Sequence, residues 1–196
     1  MNIQIADEPL RWGSLDVALF GVANDWHGKL LDKPLAFGFA VDRDYLWFVA
    51  CHETPAELHP KARPGGFLPE LWKHDVAEFF ISDPSTGRYL EFNLASNGAW
   101  WSALFSAPRE RESQEDIPLE GVATYADLSP TGGWMTAAAI PLNVLRKELN
   151  FGDKVLMNAT FIVNSPNQQF VTATKLTGDE PDFHQPEQFK KITFFH

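Results

Sequence analysis

The residue types best suited to chemistry in this chain gather between Leu71 and Trp101, LWKHDVAEFFISDPSTGRYLEFNLASNGAWW. Trp72, Asp75, Glu78, Glu91, Asn93 and Trp100 combine carboxylates, a carboxamide and two indoles in that one segment. Carboxylates accept hydrogen bonds, a carboxamide both donates and accepts, and an indole offers a flat apolar face. Such a set suits a ligand with hydroxyls at its edges and an apolar ring face. The two glutamates could instead serve as acid and as nucleophile or base in glycoside cleavage. That chemistry needs carboxyl groups roughly 5–5.5 Å apart for retention or roughly 6.5–9.5 Å for inversion.

Two hairpins must position these groups. Asn97-Gly98 is the preferred pair for a two-residue type I′ turn, in which both central residues have positive φ. Pairing outward from Ser96 and Ala99 sets Leu94 opposite Trp101, Phe92 opposite Ala103 and Leu90 opposite Phe105, an apolar face. The other face then carries Tyr89 opposite Ser106, Glu91 opposite Leu104, Asn93 opposite Ser102 and Ala95 opposite Trp100. In the upstream hairpin, keeping Phe79 and Ile81 on the apolar face pairs them with Phe92 and Leu90 and sets Glu78 beside Asn93. The expectation is a polar row of Glu78, Asn93 and Ser102, flanked by Glu91 and Trp100, with Trp101 in the core. A carboxylate in mid-sheet must be solvated or hydrogen-bonded, so this face is either wet or meets a polar ligand.

Composition narrows the partners. A formal net charge of -10 disfavours nucleic acid and anionic membrane, and is compatible with neutral sugars or cations. Hydrophobic residues at 44%, with seven Trp and sixteen Phe, describe a packed globule, and 196 residues suffice for a single β-rich domain spanning 1–196. No apolar stretch approaches the roughly 20 residues that span a bilayer. The start MNIQIADEPLRW lacks the basic-then-apolar pattern of a signal peptide, so the chain as written reads as cytoplasmic, and as exported only if a leader has been trimmed. Cys51, the lone cysteine, excludes an internal disulfide and reads as a core thiol.

Along the rest of the chain, short strands alternate with turn chemistry. LAFGFAVDRDYLWFVACHE reads as a hairpin turning at Asp42-Arg43-Asp44, followed by a long loop from Glu53 to Lys73. A polar and mobile loop is expected from Pro108 to Pro118, then strands near Val122–Ala126 and Trp134–Ile140. Pro141 opens the one helix, PLNVLRKEL. KVLMNATFIV, FVTATKL and KKITFF supply further strands, and the whole argues for an antiparallel sandwich or jelly roll.

WKHDVAEFFISDP, YLEFNLASNG, GGWMTAAAIPLNVL and PDFHQPEQFKKITFF follow one another between about Leu35 and Phe195. Together they resemble the successive signatures of the DOMON-like carbohydrate-binding modules related to family nine. The resemblance implies an all-β, jelly-roll-like antiparallel sandwich with one short helix, which binds saccharides through stacked aromatics and often holds structural calcium. Members are frequently joined to xylanases, so a separate glycoside hydrolase is an implied partner. Asp75 and Glu78 match the family's acidic pair, Glu91 the acid of its Tyr-x-Glu-Phe stretch, and Trp72 an aromatic just upstream. TATKLTGDEPDFH departs from the pattern: Thr174 or Lys175 stands near the place of a second Trp, and Lys190 stands where Gly is usual. Trp100 is the expected replacement in the aromatic clamp.

Three functions follow. The first is a non-catalytic saccharide binder using Trp72, Asp75, Glu78, Glu91, Asn93 and Trp100. The second is a glycoside hydrolase using Glu78 and Glu91. The third is a haem binder, as some DOMON-like relatives are, with His74 and Met157 as axial ligands. No cofactor is expected beyond the calcium that the resemblance allows, and no metal ligands stand out because no EF-hand pattern is present. His184 reads as a structural hydrogen-bonder and Arg63 as a solvated side chain.

Overall fold

Alternating apolar and polar residues become strands, and a computed structural model describes them for residues 1–196. In chain order they are β1 (Asn2–Ile5), β2 (Phe20–Asn24), β3 (Leu30–Val41), β4 (Tyr45–His52), β5 (Val76–Ser82), β6 (Tyr89–Leu94) and β7 (Trp100–Ala107). There follow β8 (Glu110–Arg111), β9 (Ala123–Leu128), β10 (Trp134–Pro141), the helix α1 (Leu142–Leu149), β11 (Leu156–Val163), β12 (Gln169–Thr172), β13 (Lys190–Lys191) and β14 (Thr193–Phe195). One sheet runs β14-β1-β3-β4-β10-β9 with β2 also on β3; the other runs β12-β11-β5-β6-β7-β8 with β13 on β11. The result is an all-β sandwich with one short helix. Its first sheet is mixed rather than wholly antiparallel, because β1 lies parallel to both β14 and β3.

Local chemistry explains the connections. Asp42 turns the β3–β4 hairpin by accepting the amides of Asp44 (2.9 Å) and Tyr45 (2.8 Å) on one carboxylate oxygen, an Asx turn. Its other oxygen takes the Trp47 indole N–H at 3.0 Å. Helix α1 stops at Asn150, whose left-handed backbone (φ 49°) lets its N–H bond back to the Arg146 carbonyl.

Between the sheets, Phe39, Phe48, Phe79, Phe92 and Trp100 form a continuous aromatic row, each ring 5.0–5.4 Å from the next. Such contacts add about 0.5–1.5 kcal/mol per pair to the burial of the rings themselves. Phe79 faces Phe92, Ile81 faces Leu90 and Glu78 faces Asn93, as the alternation of β5 and β6 predicts.

The next hairpin differs from expectation by one residue. Ala95 N–H donates to the Ala99 carbonyl (2.8 Å), so the loop is Ser96-Asn97-Gly98, three residues long, with only Gly98 at positive φ (83°). This is the three-residue loop with a left-handed glycine, and it pairs Leu94 with Trp100, Asn93 with Trp101 and Phe92 with Ser102. The first sheet reinforces it: Thr136 Oγ1 donates to Ala95 O (3.2 Å) and Thr124 Oγ1 to Gly98 O. A slip of one exchanges the faces of β7. Trp100, expected on the polar face, is therefore in the core, stacked on Phe92 at 5.4 Å, and Trp101 is on the other face. Ser102 also moves inward, where its Oγ is buried without a partner.

Trp100→Ala should accordingly cost about 3–5 kcal/mol in denaturant unfolding, the range for truncating a core aromatic. Trp101 is buried to the same extent on the opposite face, so Trp101→Ala should cost a similar amount. A cost well under about 2 kcal/mol for Trp100→Ala would place that ring outside the core.

Candidate functional site

The outer face of the second sheet carries Glu78 and Phe80 from β5, Tyr89, Glu91 and Asn93 from β6, Trp101 and Phe105 from β7, and Thr160 and Ile162 from β11. It is not an open wet surface. The loops before β5 and after β12 lie over it, and Leu71, Val76, Phe80, Tyr89, Phe105, Phe183 and Phe189 form a second buried cluster beneath them. Over the centre the loops leave a hollow of about 670 Å³.

Glu78 and Glu91 both line this hollow, although only 2% and 5% of each is exposed. Thr160, cross-strand from Glu78, donates its hydroxyl to Glu78 Oε2 at 2.9 Å. Asn93 Nδ2 donates to Glu91 Oε1 at 2.9 Å. The remaining oxygens, Glu78 Oε1 and Glu91 Oε2, receive no hydrogen bond from the protein; His184 Nε2 lies 3.7 Å from the latter. Asn93 Oδ1 is also buried without a partner.

Burial dominates the electrostatics, because a desolvated carboxylate favours its neutral form. Burial and then the charge of Glu91 push the Glu78 carboxyl well above the usual range, against the bond from Thr160. Burial raises Glu91 to about 7, opposed by the Asn93 bond and by Arg111 and Arg109. His184 is lowered to about 4, by burial first and then by Arg109, and is neutral at pH 7. Tyr89 settles its tautomer. The phenol oxygen accepts the Arg109 amide (3.0 Å) and stands 2.8 Å from His184 Nδ1. A buried hydroxyl proton needs an acceptor, so it goes to Nδ1, and the imidazole proton sits on Nε2 facing Glu91.

Aromatic residues form the walls. Trp72 projects from a single 3₁₀ turn, Leu71–Lys73, with 45% of its surface exposed, and Gln168 Nε2 holds its carbonyl at 3.1 Å. Trp101 donates its indole N–H to Asp116 Oδ1 at 2.9 Å. Arg111 also binds Asp116 (2.7 Å), with its guanidinium 5.3 Å above the Trp101 ring. Arg109 pairs with Asp182 at 2.9 Å. Phe170 and Phe183 also line the hollow, while Lys175 is exposed and lies outside it.

Of the residues singled out from sequence, Trp72, Glu78 and Glu91 line the hollow, and Asn93 sits under it and orients Glu91. Asp75 does not reach it: its buried carboxylate accepts the amides of Ser165 (2.8 Å) and Glu57 (3.1 Å) and ties two loops together. Trp100 is replaced by Trp101, for the reason of register. Met157 is fully buried between the sheets and His74 packs on His59, 5.0 Å between rings, so the haem ligand pair has no common wall. No three His, Cys, Asp or Glu side chains gather as a metal site, and the calcium that the resemblance allows has no side-chain cage here. The loop expected to be mobile forms β8 and supplies Arg109, Arg111 and Asp116. Those three carry no local signal, whereas His184 lies within the DFHQPEQF block and was legible as a hydrogen-bonder though not as part of a site.

No family model matches the chain. In sequence it is similar to the UPF0462 protein C4orf33 of Homo sapiens, 29% identical over 141 residues, covering 69% of this chain and 66% of that one. The Mus musculus homolog is 27% identical over 143 residues, 69% of each chain, and the Danio rerio homolog 23% over 181 residues, 89% and 88%. In structure it is similar to a proposed carbohydrate-binding protein from Bacteroides uniformis, with TM-score 0.69 and 16% identity, covering 91% of this chain and 87% of that one. It is also similar to a family 9 carbohydrate-binding module from Caldicellulosiruptor kristjanssonii in complex with glucose, with TM-score 0.64 and 13% identity, covering 100% and 96%. The cellotriose complex from the same organism gives TM-score 0.65 and 14% identity over 99% and 93%. The fold is that of the family 9 modules.

Glu91 titrates near 7 in the folded protein against 4.5 for the free side chain, so folding strengthens its hold on a proton. Its contribution to stability is full below about pH 4.5 and is lost as pH rises through about 7. His184 runs the other way: stability is full above its free value of 6.5 and is lost as pH falls toward about 4. The two slopes partly cancel in the native chain, so the difference between variants is the readout. Glu91→Gln should gain stability over the native chain as pH rises from about 4.5 to about 7, by up to about 3 kcal/mol in pH-dependent unfolding.

Proposed function

We propose that the chain is a non-catalytic saccharide-binding protein whose ligand enters the hollow above Glu78 and Glu91. The observation that carries this reading is a pair of buried carboxyl groups with free oxygens on the floor of an aromatic-walled cavity. Carboxyl oxygens take hydroxyl protons, and the rings of Trp72 and Trp101 offer apolar faces to the C–H surface of a pyranose. A volume of about 670 Å³ suits one or two sugar rings. The fold supports the reading, because the modules from Caldicellulosiruptor kristjanssonii that share it are seen in complex with glucose and cellotriose.

One observation favours a second reading. Glu78 and Glu91 share the floor of one hollow and both carboxyls are raised by burial, and a protonated acid beside an ionised base is what glycoside cleavage requires. Product formation separates the two.

Isothermal titration with glucose and cellotriose should give heat of binding without product. Trp72→Ala should weaken it about tenfold or more, as loss of an aromatic anchor does, with little change in melting temperature because that side chain is largely exposed. Turnover of aryl glycosides that vanishes in Glu78→Gln would replace this reading with the enzyme.

A further inference from the structure

We propose that the saccharide taken by this hollow carries a protonated amine, and that its ammonium group sits between Glu78 and Glu91. This deepens the saccharide reading and rests on it.

The floor is short of donors. Glu78 Oε1, Glu91 Oε2 and Asn93 Oδ1 all lack a hydrogen-bond donor, and all three side chains are more than nine-tenths buried. A hydroxyl brings one donor and no charge, whereas an ammonium brings three donors and a positive charge. Once ionised, the pair also calls for charge, since a buried carboxylate without a cation is costly.

The protein does not supply that cation at the floor. Arg111 is engaged by Asp116 at 2.7 Å and Arg109 by Asp182 at 2.9 Å. His184 is neutral, with Nδ1 occupied by Tyr89, and faces Glu91 from 3.7 Å. The two arginines draw the Glu91 carboxyl downward, yet burial outweighs them. Burial therefore favours the protonated forms of both in the free protein, with Glu91 raised to about 7.

An arriving ammonium favours the carboxylate forms, so Glu91, flanked by Glu78, His184, Arg109 and Arg111, gives up its proton to solvent as the ligand binds. The N–H groups of the ligand take the place of that proton, and no bond to carbon changes. The chain's net charge of -10 draws cations toward it.

Calorimetry on the intact chain at neutral pH, with glucosamine, N-acetylglucosamine and glucose as probes, tests the inference. Glucosamine should bind about tenfold or more tightly than the other two, as a desolvated charge pair does. Its measured heat should also vary with buffer ionisation enthalpy, showing proton release, and in Glu78→Gln and Glu91→Gln the ratio of glucosamine to glucose affinity should fall to about one. Glucose binding as tightly as glucosamine would overturn the amine and leave the saccharide reading standing. No heat with any of the three would overturn both.

Discussion

A loop of three residues, Ser96-Asn97-Gly98, decides which side of β7 meets the interior of the sandwich. Side chains alternate along a strand, so loop length sets the destination of every residue that follows it. Gly98 supplies the one positive φ, and threonines of the opposite sheet hold the loop's carbonyls. As a result Trp100 closes the aromatic row of the core and Trp101 becomes a wall of the hollow. The stability of the sandwich and the shape of its site thus depend on one hairpin.

The second constraint is electrostatic. Two carboxyl groups buried on one sheet face oppose folding once they ionise, and the protein answers with single hydrogen bonds from Thr160 and Asn93 rather than with ion pairs. The guanidiniums close to the site are spent on Asp116 and Asp182 at its edges. A floor arranged this way is incomplete by itself and complete with a guest that donates protons. Tyr89, linking the Arg109 amide to His184, sets the imidazole proton toward Glu91 and joins the loop after β7 to the C-terminal loop.

Both faces of the second sheet are covered, which separates two tasks that a simple sandwich merges. The inner face supplies cohesion through Phe79, Phe92 and Phe161. The outer face packs Phe80, Tyr89 and Phe105 under loops that are themselves held by buried acids; Asp75 ties the chain near Glu57 to the chain near Ser165. The fold is similar to that of family 9 carbohydrate-binding modules at 13–14% identity, and Phe170 and Phe183 stand on the wall of the hollow here.

Alternation and turn residues in the sequence alone determined the strands from β3 onward other than β8, the single helix after Pro141, the pairing of β5 with β6, and the placing of Glu78 and Glu91 on one face. These follow from interactions between near neighbours. The short strands β1 and β2 were not legible, because β1 is four residues long and owes its place to distant β3 and β14. Tertiary structure decided the rest. Asn97-Gly98 fits both a two-residue and a three-residue loop locally, and packing of Trp100 on Phe92, with Thr136 bound to Ala95, selects the second. Arg109, Arg111, Asp116 and His184 come to the hollow from segments remote in sequence, since ion pairs and hydrogen bonds between loops form only after the sheets have set the distances between them.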